Sequence, residues 1–423
     1  MELNVYTLGC KVNQYETEQI REQLQAVFGN TQAEIYIINS CTVTAESSRK
    51  TRQTVNRIRK EHPDAVLVLT GCYPQAFPEE AYALPADIII GNKSNLQLAQ
   101  YVGEYLQYRE KICRVEARTE KEPYVEQPIC DFDGHTRAFI KIQDGCNRFC
   151  SYCIIPYARG RARSRRMEDL ASELRVLAKK GYREIVFTGI DLTSYGQDLG
   201  CDLADAVCLA QQIDGIDRIR LGSLEPDRMQ DAMLNRMVAC SKFCPQFHLS
   251  LQSGSNAVLK RMNRHYTAEE YAALCDKIRN AFPNATVTTD IITGFPGETD
   301  ADFLQTVQFA QQICFEKVHV FPYSERSGTR AAAFTGRIEK KERERRARVL
   351  SSVCAAIRKE CLQKTVGTVV NVLFETPKDG LQNGFTENYT PVAVACEEVL
   401  TGQIRQVRIM NATDDFCVGE LCD

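Results

Sequence analysis

Three cysteines recur at equal intervals near the start of the chain, Cys10, Cys41 and Cys72, each 31 residues from the next. A strand and its following helix occupy about 30 residues in a β-α unit, so this interval carries each thiol from one strand end to the next. The flanks agree: apolar runs at Leu3 to Leu8, Glu34 to Asn39, Ala65 to Thr70 and Asp87 to Ile90 alternate with longer, polar, helix-compatible stretches. Such alternation predicts a parallel α/β sheet covered by helices on both faces, with ligands gathering beyond the carboxyl ends of its strands. Those ends read Leu8-Gly9-Cys10, Asn39-Ser40-Cys41 and Thr70-Gly71-Cys72, so the three thiols are expected to converge at one sheet edge.

The chain has nineteen cysteines in 423 residues, an odd total that fits a fully paired disulfide framework poorly and points to reduced thiols. Glu2 and Cys10 stand where a secretion signal needs a basic flank and an apolar run, and no apolar stretch approaches the roughly 20 residues that cross a bilayer. A cytoplasmic protein with no membrane association is expected. The net charge of −3 excludes a globally basic nucleic-acid binder, so any such surface must be local.

From Gln100 to His135 the pattern predicts a helix and then a linker carrying Pro123, Pro128 and Gly134. A second alternating series follows, with strands expected at Ala138 to Ile142, Glu184 to Thr188, Arg218 to Leu221, Gln246 to Leu251, Val287 to Ile292 and Lys317 to Phe321, which together indicate a partial, open α/β barrel. Residues 338–363 read as a helix with an apolar stripe at Val349, Leu350, Val353 and Ile357. The β-rich remainder suggests a small appended β-barrel. The expected domains are thus 1–130, 131–363 and 364–423.

A second triplet, Cys146-x3-Cys150-x2-Cys153, follows the first strand of the second series. Three thiols in one short loop suggest metal. A structural zinc site wants four protein ligands, and no histidine lies within twenty residues downstream. A [4Fe-4S] cluster held by three cysteines leaves one iron open to a small molecule. Free or zinc-bound thiols are the alternative here, and simply buried cysteines are the alternative for Cys10, Cys41 and Cys72.

The second triplet and its position resemble the radical S-adenosylmethionine (SAM) superfamily. The resemblance implies that SAM chelates the open iron of a [4Fe-4S] cluster on Cys146, Cys150 and Cys153, and that one electron then cleaves it to a 5′-deoxyadenosyl radical. It further implies SAM contacts at Tyr152, at Gly189 and Asp191 after the second strand, at Gln252 and Arg264, and at Gly294 in the run Thr293-Gly294-Phe295-Pro296-Gly297-Glu298. The flanks Thr7-Leu8-Gly9-Cys10-Lys11-Val12-Asn13-Gln14-Tyr15-Glu16, Asn39-Ser40-Cys41-Thr42-Val43-Thr44 and Thr70-Gly71-Cys72, with Lys141-Ile142-Gln143-Asp144-Gly145-Cys146, resemble the methylthiotransferases, and the terminal segment with Asn388-Tyr389 resembles a TRAM module. This family likeness implies a second, auxiliary [4Fe-4S] cluster on Cys10, Cys41 and Cys72 that carries sulfur, a second SAM as methyl donor, a small-protein electron donor and a sulfur donor.

Of the family's branches, Lys11 to Glu16, Thr42 to Thr44 and Lys141 to Gly145 look like the one that converts N6-threonylcarbamoyladenosine (t6A) at position 37 of tRNA, next to the anticodon, to its 2-methylthio derivative. The others act on isopentenyladenosine of tRNA or on an aspartate of a ribosomal protein. A reading of another class, a non-catalytic iron–sulfur protein that binds RNA or senses redox state, keeps the cysteines but has no use for the strand-end run at 294–298.

Charge locates an expected RNA surface. Residues 137–166 hold eight Lys or Arg against one Asp, and Arg159, Arg161, Arg163, Arg165 and Arg166 crowd into eight positions beside the second triplet. Their guanidinium groups suit the phosphates of the tRNA anticodon loop, the alternative being a solvated basic helix start. Residues 364–423 instead hold four Lys or Arg against nine Asp or Glu, an unusual balance for an RNA-binding module.

Overall fold

The computed structural model describes residues 2–29, 32–132 and 136–422. Five parallel strands, Glu2–Thr7, Glu34–Ser40, Val66–Gly71, Ile88–Ile90 and Ile112–Arg114, lie side by side in chain order. The strand Val66–Gly71 is buried throughout, as a parallel strand covered on both faces must be. Ile20 and Leu24 of the helix Lys11–Phe28 cover one face, and Val55 and Ile58 of the helix Ala45–Glu61 cover the other. The fifth strand lies in the segment expected to be helix and linker. The helix Leu98–Tyr108 stops at Arg109, whose backbone is left-handed, and the three residues Ile112–Arg114 then add an edge strand too short to show any alternation. Gly134, part of that expected linker, lies outside the described residues.

Strands at all six expected places form the second domain: Arg137–Lys141, Glu184–Thr188, Arg218–Leu221, Gln246–Leu249, Thr286–Thr293 and Lys317–Pro322. They divide into two parallel sheets. The strand Arg218–Leu221 pairs with Glu184–Thr188, while Ser223–Leu224, one residue further on, pairs with Gln246–Leu249. A single strand bent at Gly222 therefore serves both sheets, and the open barrel is continuous through it. Alternate residues, among them Ile219, Leu221, Phe247, Leu249, Val287 and Ile291, enter the core beneath the outer helices. The helix Lys340–Gln363 closes the domain, burying Leu350, Cys354 and Ile357. Val349, placed in the expected stripe, is exposed instead, because spacings of four and three residues set the buried face.

The terminal segment closes into a five-stranded barrel of Val369–Phe374, Gln382–Thr386, Pro391–Val394, Ile404–Ala412 and Cys417–Leu421. It docks on a buried basic floor of the open barrel. Arg218 donates to the carbonyls of Phe385 (3.0 Å) and Asn371 (2.9 Å), and Arg220 donates to that of Glu387 (2.8 Å) while its fork holds Glu184 at 3.0 and 3.1 Å. Arg137 bonds Glu375 and lies over the stacked rings of Phe385 and Tyr389. The TRAM likeness implies a strand at Asn388 and Tyr389, but the two follow the strand Gln382–Thr386 in a turn, and Tyr389 also packs under Arg220. The terminal barrel is thus held mainly through its backbone carbonyls, with Glu375 supplying a carboxylate to Arg137, and Tyr389 serves interdomain packing. Among the described residues no helix is long and apolar enough to cross a membrane.

Candidate active site at the domain junction

The three N-terminal thiols stand at the carboxyl ends of adjacent strands: Cys10 immediately precedes the helix Lys11–Phe28, Cys41 follows the strand Glu34–Ser40, and Cys72 opens the helix Cys72–Ala76. An asparagine pair pins the first two ends together. Asn13 accepts from the Cys10 thiol at 3.3 Å and donates to Asn39 Oδ1 at 3.1 Å and to the Ser40 carbonyl at 3.2 Å. Asn92 Nδ2 lies 3.6 Å from Cys72 Sγ. Burial pushes the Cys72 thiol up to about 12 and raises Cys41, while Cys10 is exposed.

The second triplet sits on a loop held against residues 261–264. Ser151 N–H donates to the Met262 carbonyl at 2.9 Å, and the Asn263 amide donates to the carbonyls of Arg148 and Phe149, each at 3.2 Å. Arg264 Nη1 lies 3.2 Å from Cys150 Sγ while the same guanidinium binds Glu225. Phe149, Gln252 and Asn263 are non-glycine residues with φ of 50°, 71° and 59°, backbone strain of the kind that persists where surroundings over-determine a site. Gly145 (φ 71°) leads into Cys146, and a Cβ there would lie 1.9 Å from the Arg161 carbonyl oxygen. Gly145→Ala is therefore expected to displace the loop at about 1–3 kcal/mol for the dihedral alone, with the clash added. The check is iron bound per chain after reconstitution, which should fall below wild type.

Burial is the main reason the Cys146 thiol is held far above its usual range and Cys153 is pushed up to about 12; neighbouring Asp191 raises Cys146 further. Iron binding would offset this cost by stabilising the thiolates. Among the described residues no three His, Cys, Asp or Glu side chains are arranged to hold a single metal ion, and each triplet offers three thiols where a structural zinc site closes with four ligands. Each thiolate of a four-iron cluster ligates a different iron, which calls for ligands set further apart. Thiols carried on three adjacent strand ends, or on one strained loop, fit that group.

The residues expected to hold SAM divide into three groups. Tyr152 and Gln252 line a cavity of about 280 Å³ together with Cys153, Asp290, Phe321 and Tyr323. Val43 and Thr44, from the loop after Cys41, complete its wall. Gly189 and Asp191 form a turn braced by Gln143, whose Oε1 accepts from the backbone N–H of Ile190 (2.9 Å) and Asp191 (2.8 Å); a Cβ at Gly189 would lie 2.8 Å from that oxygen. Asp191 Oδ2 is buried beside Cys146 without a hydrogen-bond partner among the described residues, its nearest cations being Arg148 Nε and Arg228 Nη1, both 3.8 Å away. That orphaned carboxylate oxygen suits an ammonium group. Arg264 is committed to Cys150 and Glu225, and Gly294 packs under Arg343 outside the cavity wall.

The arginine run requires correction as an RNA surface. Arg159 is 1% exposed and grips Glu16 through both terminal nitrogens at 2.7 and 2.9 Å. Arg163 is buried against Asp144 at 2.8 Å. Arg165, also 1% exposed, bonds Glu173 and Glu126, and Tyr15 donates to the same Glu173 at 3.0 Å. Arg159 ties the barrel to the helix after Cys10 and Arg165 ties it to the chain segment between the domains, while Arg163 stays within the barrel. Arg161, over the Phe149 ring at 4.7 Å, and Arg166, paired with Asp169, remain at the surface. Glu16, Gln143, Asp144 and Asp290 were not singled out from sequence. Glu16 and Asp144 lie inside the quoted flanks, and for Asp144 the available signal was a lone acid among basic neighbours.

An open six-stranded α/β barrel with Cys-x3-Cys-x2-Cys behind its first strand defines a radical SAM enzyme, which carries a [4Fe-4S] cluster and SAM; the Radical SAM superfamily matches residues 140–310 and the uncharacterized protein family UPF0004 matches residues 2–91. The threonylcarbamoyladenosine tRNA methylthiotransferase MtaB of Bacillus subtilis is 37% identical over 98% of this chain and 95% of its own, and that of Aquifex aeolicus is 37% identical over 93% and 96%. The chain belongs to the radical SAM methylthiotransferase family. A tRNA-2-methylthio-N(6)-dimethylallyladenosine synthase of Syntrophomonas wolfei is 34% identical over 100% and 98%. In fold, the radical S-adenosylmethionine methyltransferase TsrM of Kitasatospora setae aligns with TM-score 0.56 at 12% identity, covering 84% of this chain and 89% of its own.

Proposed function

We propose that this chain methylthiolates C2 of t6A at position 37 in the tRNA anticodon loop, in the cytoplasm, using two [4Fe-4S] clusters and SAM. The observation that carries this reading is the shared cavity: Cys153 and Gln252 of the barrel and Val43 and Thr44 beside Cys41 line one space. A base placed there meets both triplet loops, as hydrogen removal and sulfur delivery at one carbon require. When bound at Cys146, Cys150 and Cys153, the cluster and SAM supply the radical; the cluster on Cys10, Cys41 and Cys72 supplies sulfur, and a second SAM supplies the methyl group.

The protein's own groups orient the reactants. Asp191 Oδ2 takes the SAM ammonium, Tyr152 and Gln252 bound the cavity that receives the nucleoside, and Gly189 and Gly294 shape strand ends near it. Arg161, with Phe149 and the exposed Tyr157, is the part of the arginine run left to contact phosphate or base. A base reaches the cavity only after leaving its stack, which is easiest in a single-stranded loop. A small-protein electron donor and a sulfur donor complete the partner set. The t6A branch is favoured because relatives named for that nucleoside reach 37% identity, against 34% for those named for dimethylallyladenosine.

The test is anaerobic reconstitution with iron and sulfide, addition of reductant, SAM and t6A-containing tRNA, and mass spectrometry of the nucleosides. Methylthio-t6A is expected. Cys41→Ala should retain 5′-deoxyadenosine formation and lose sulfur insertion. A product only on isopentenyladenosine would move the chain to that branch, and absence of both deoxyadenosine and methylthio product would favour the non-catalytic reading.

A further inference from the structure

Arg159 belongs to the barrel domain but is buried against the N-terminal triplet. Its short helix, Ile155–Arg159, packs on the helix that Cys72 opens. Its two terminal nitrogens are occupied, by Glu16 at 2.7 and 2.9 Å and by Asp144 at 3.2 Å. Its third donor, Nε–H, is buried and has no hydrogen-bond partner among the described residues. A buried donor left unpaired costs about 1–3 kcal/mol, so it marks a place where an acceptor belongs. Cys72 opens the helix on which Arg159 packs, and its sulfur, once a thiolate, interacts favourably with this guanidinium.

The surrounding charges point the same way. Lys141 bonds both Glu16 and Asp144 at 2.8 Å, and Arg163 bonds Asp144 at 2.8 Å. Three cations thus face two carboxylates in the cluster of side chains around Arg159. A four-iron core held by three thiolates is anionic and gains further negative charge on reduction, so a buried cation beside it favours the reduced state.

We infer, building on the two-cluster reading above, that Arg159 is a positioning residue supplied by the barrel to the N-terminal cluster, its Nε–H donating to a sulfur at Cys72 and its charge raising that cluster's reduction potential. The N-terminal site is then complete only when the two domains are docked.

The experiment uses full-length protein in two backgrounds. Replacing Cys146, Cys150 and Cys153 with alanine leaves only the N-terminal cluster, and replacing Cys10, Cys41 and Cys72 leaves only the barrel cluster. Each is reconstituted, assayed for iron and sulfide, and titrated electrochemically with paramagnetic resonance as the readout. In the first background Arg159→Gln is expected to disfavour reduction at least tenfold, a shift of 59 mV for one electron to more negative potential. Arg159→Lys keeps the charge and loses the Nε donor, so a smaller shift in the same direction is expected. In the second background neither variant should move the midpoint.

An unchanged N-terminal midpoint in both variants, or equal shifts of the two clusters, would overturn the role of Arg159. If Arg159→Gln fails to fold, Arg159→Lys decides the matter by the same midpoint. No cluster in the first background with Arg159 intact would overturn the two-cluster reading itself, and the inference with it.

Discussion

Cys150→Ala is expected to abolish both SAM cleavage and methylthiolation while leaving the barrel folded. Cys150 is the buried member of its triplet, and its sulfur lies 3.2 Å from Arg264 Nη1. Without the thiolate the cluster keeps two protein ligands, too few to hold it while one iron stays open for SAM. The loop itself does not depend on this side chain. Ser151 and Asn263 fix it through backbone bonds, and Arg264 keeps Glu225 and the Ser250 carbonyl as partners. Anaerobic turnover should therefore give no 5′-deoxyadenosine, with a circular dichroism spectrum like that of wild type. Persistent deoxyadenosine would contradict the assignment of the barrel cluster. The contrast with Cys41→Ala, which should lose sulfur insertion alone, separates the two triplets by task.

Glu16→Gln is expected to destabilise the junction by about 3 kcal/mol, the lower part of the range for breaking a buried ion pair, because Asp144 still partners the cations left behind. Glu16 is fully enclosed, accepts from both terminal nitrogens of Arg159, and bonds Lys141 at 2.8 Å. Burial alone would raise its carboxyl, but Arg159 and Lys141 outweigh that and hold it below the ordinary 4.5. A depressed folded value means that its contribution is fully present above the unfolded carboxylate range and is lost as pH falls through the folded value. The stability gap between wild type and Glu16→Gln, measured by denaturant midpoint, should be constant near neutrality and narrow below about pH 4.5. A gap independent of acid would show that Glu16 is not the charged partner of Arg159.

Local chemistry made much of the fold and site legible. The 31-residue interval and the strand ends placed Cys10, Cys41 and Cys72 on neighbouring strands, and the six barrel strands lie where apolar alternation put them. The edge strand Ile112–Arg114 was hidden because three residues carry no period. The bend that lets residues 218–224 serve two sheets was hidden because it depends on which neighbours each half meets. The helix face at Leu350, Cys354 and Ile357 was displaced from the expected stripe because mixed charge along the helix blurred its apolar phase.

Sequence alone therefore placed the two cysteine triplets and the order of the strand series, since both are written in local spacing and period. Tertiary structure decided what the charges do. Arg159 meets Glu16 across 143 residues, and Arg220 meets the Thr386 carbonyl across 166. A basic run that looked like a nucleic-acid surface became, in large part, the interior of a domain junction, and the terminal barrel docks on a basic floor chiefly through backbone carbonyls. A guanidinium is identical in sequence whether it faces phosphate or a buried carboxylate; only the fold brings the carboxylate near enough to offset its loss of water.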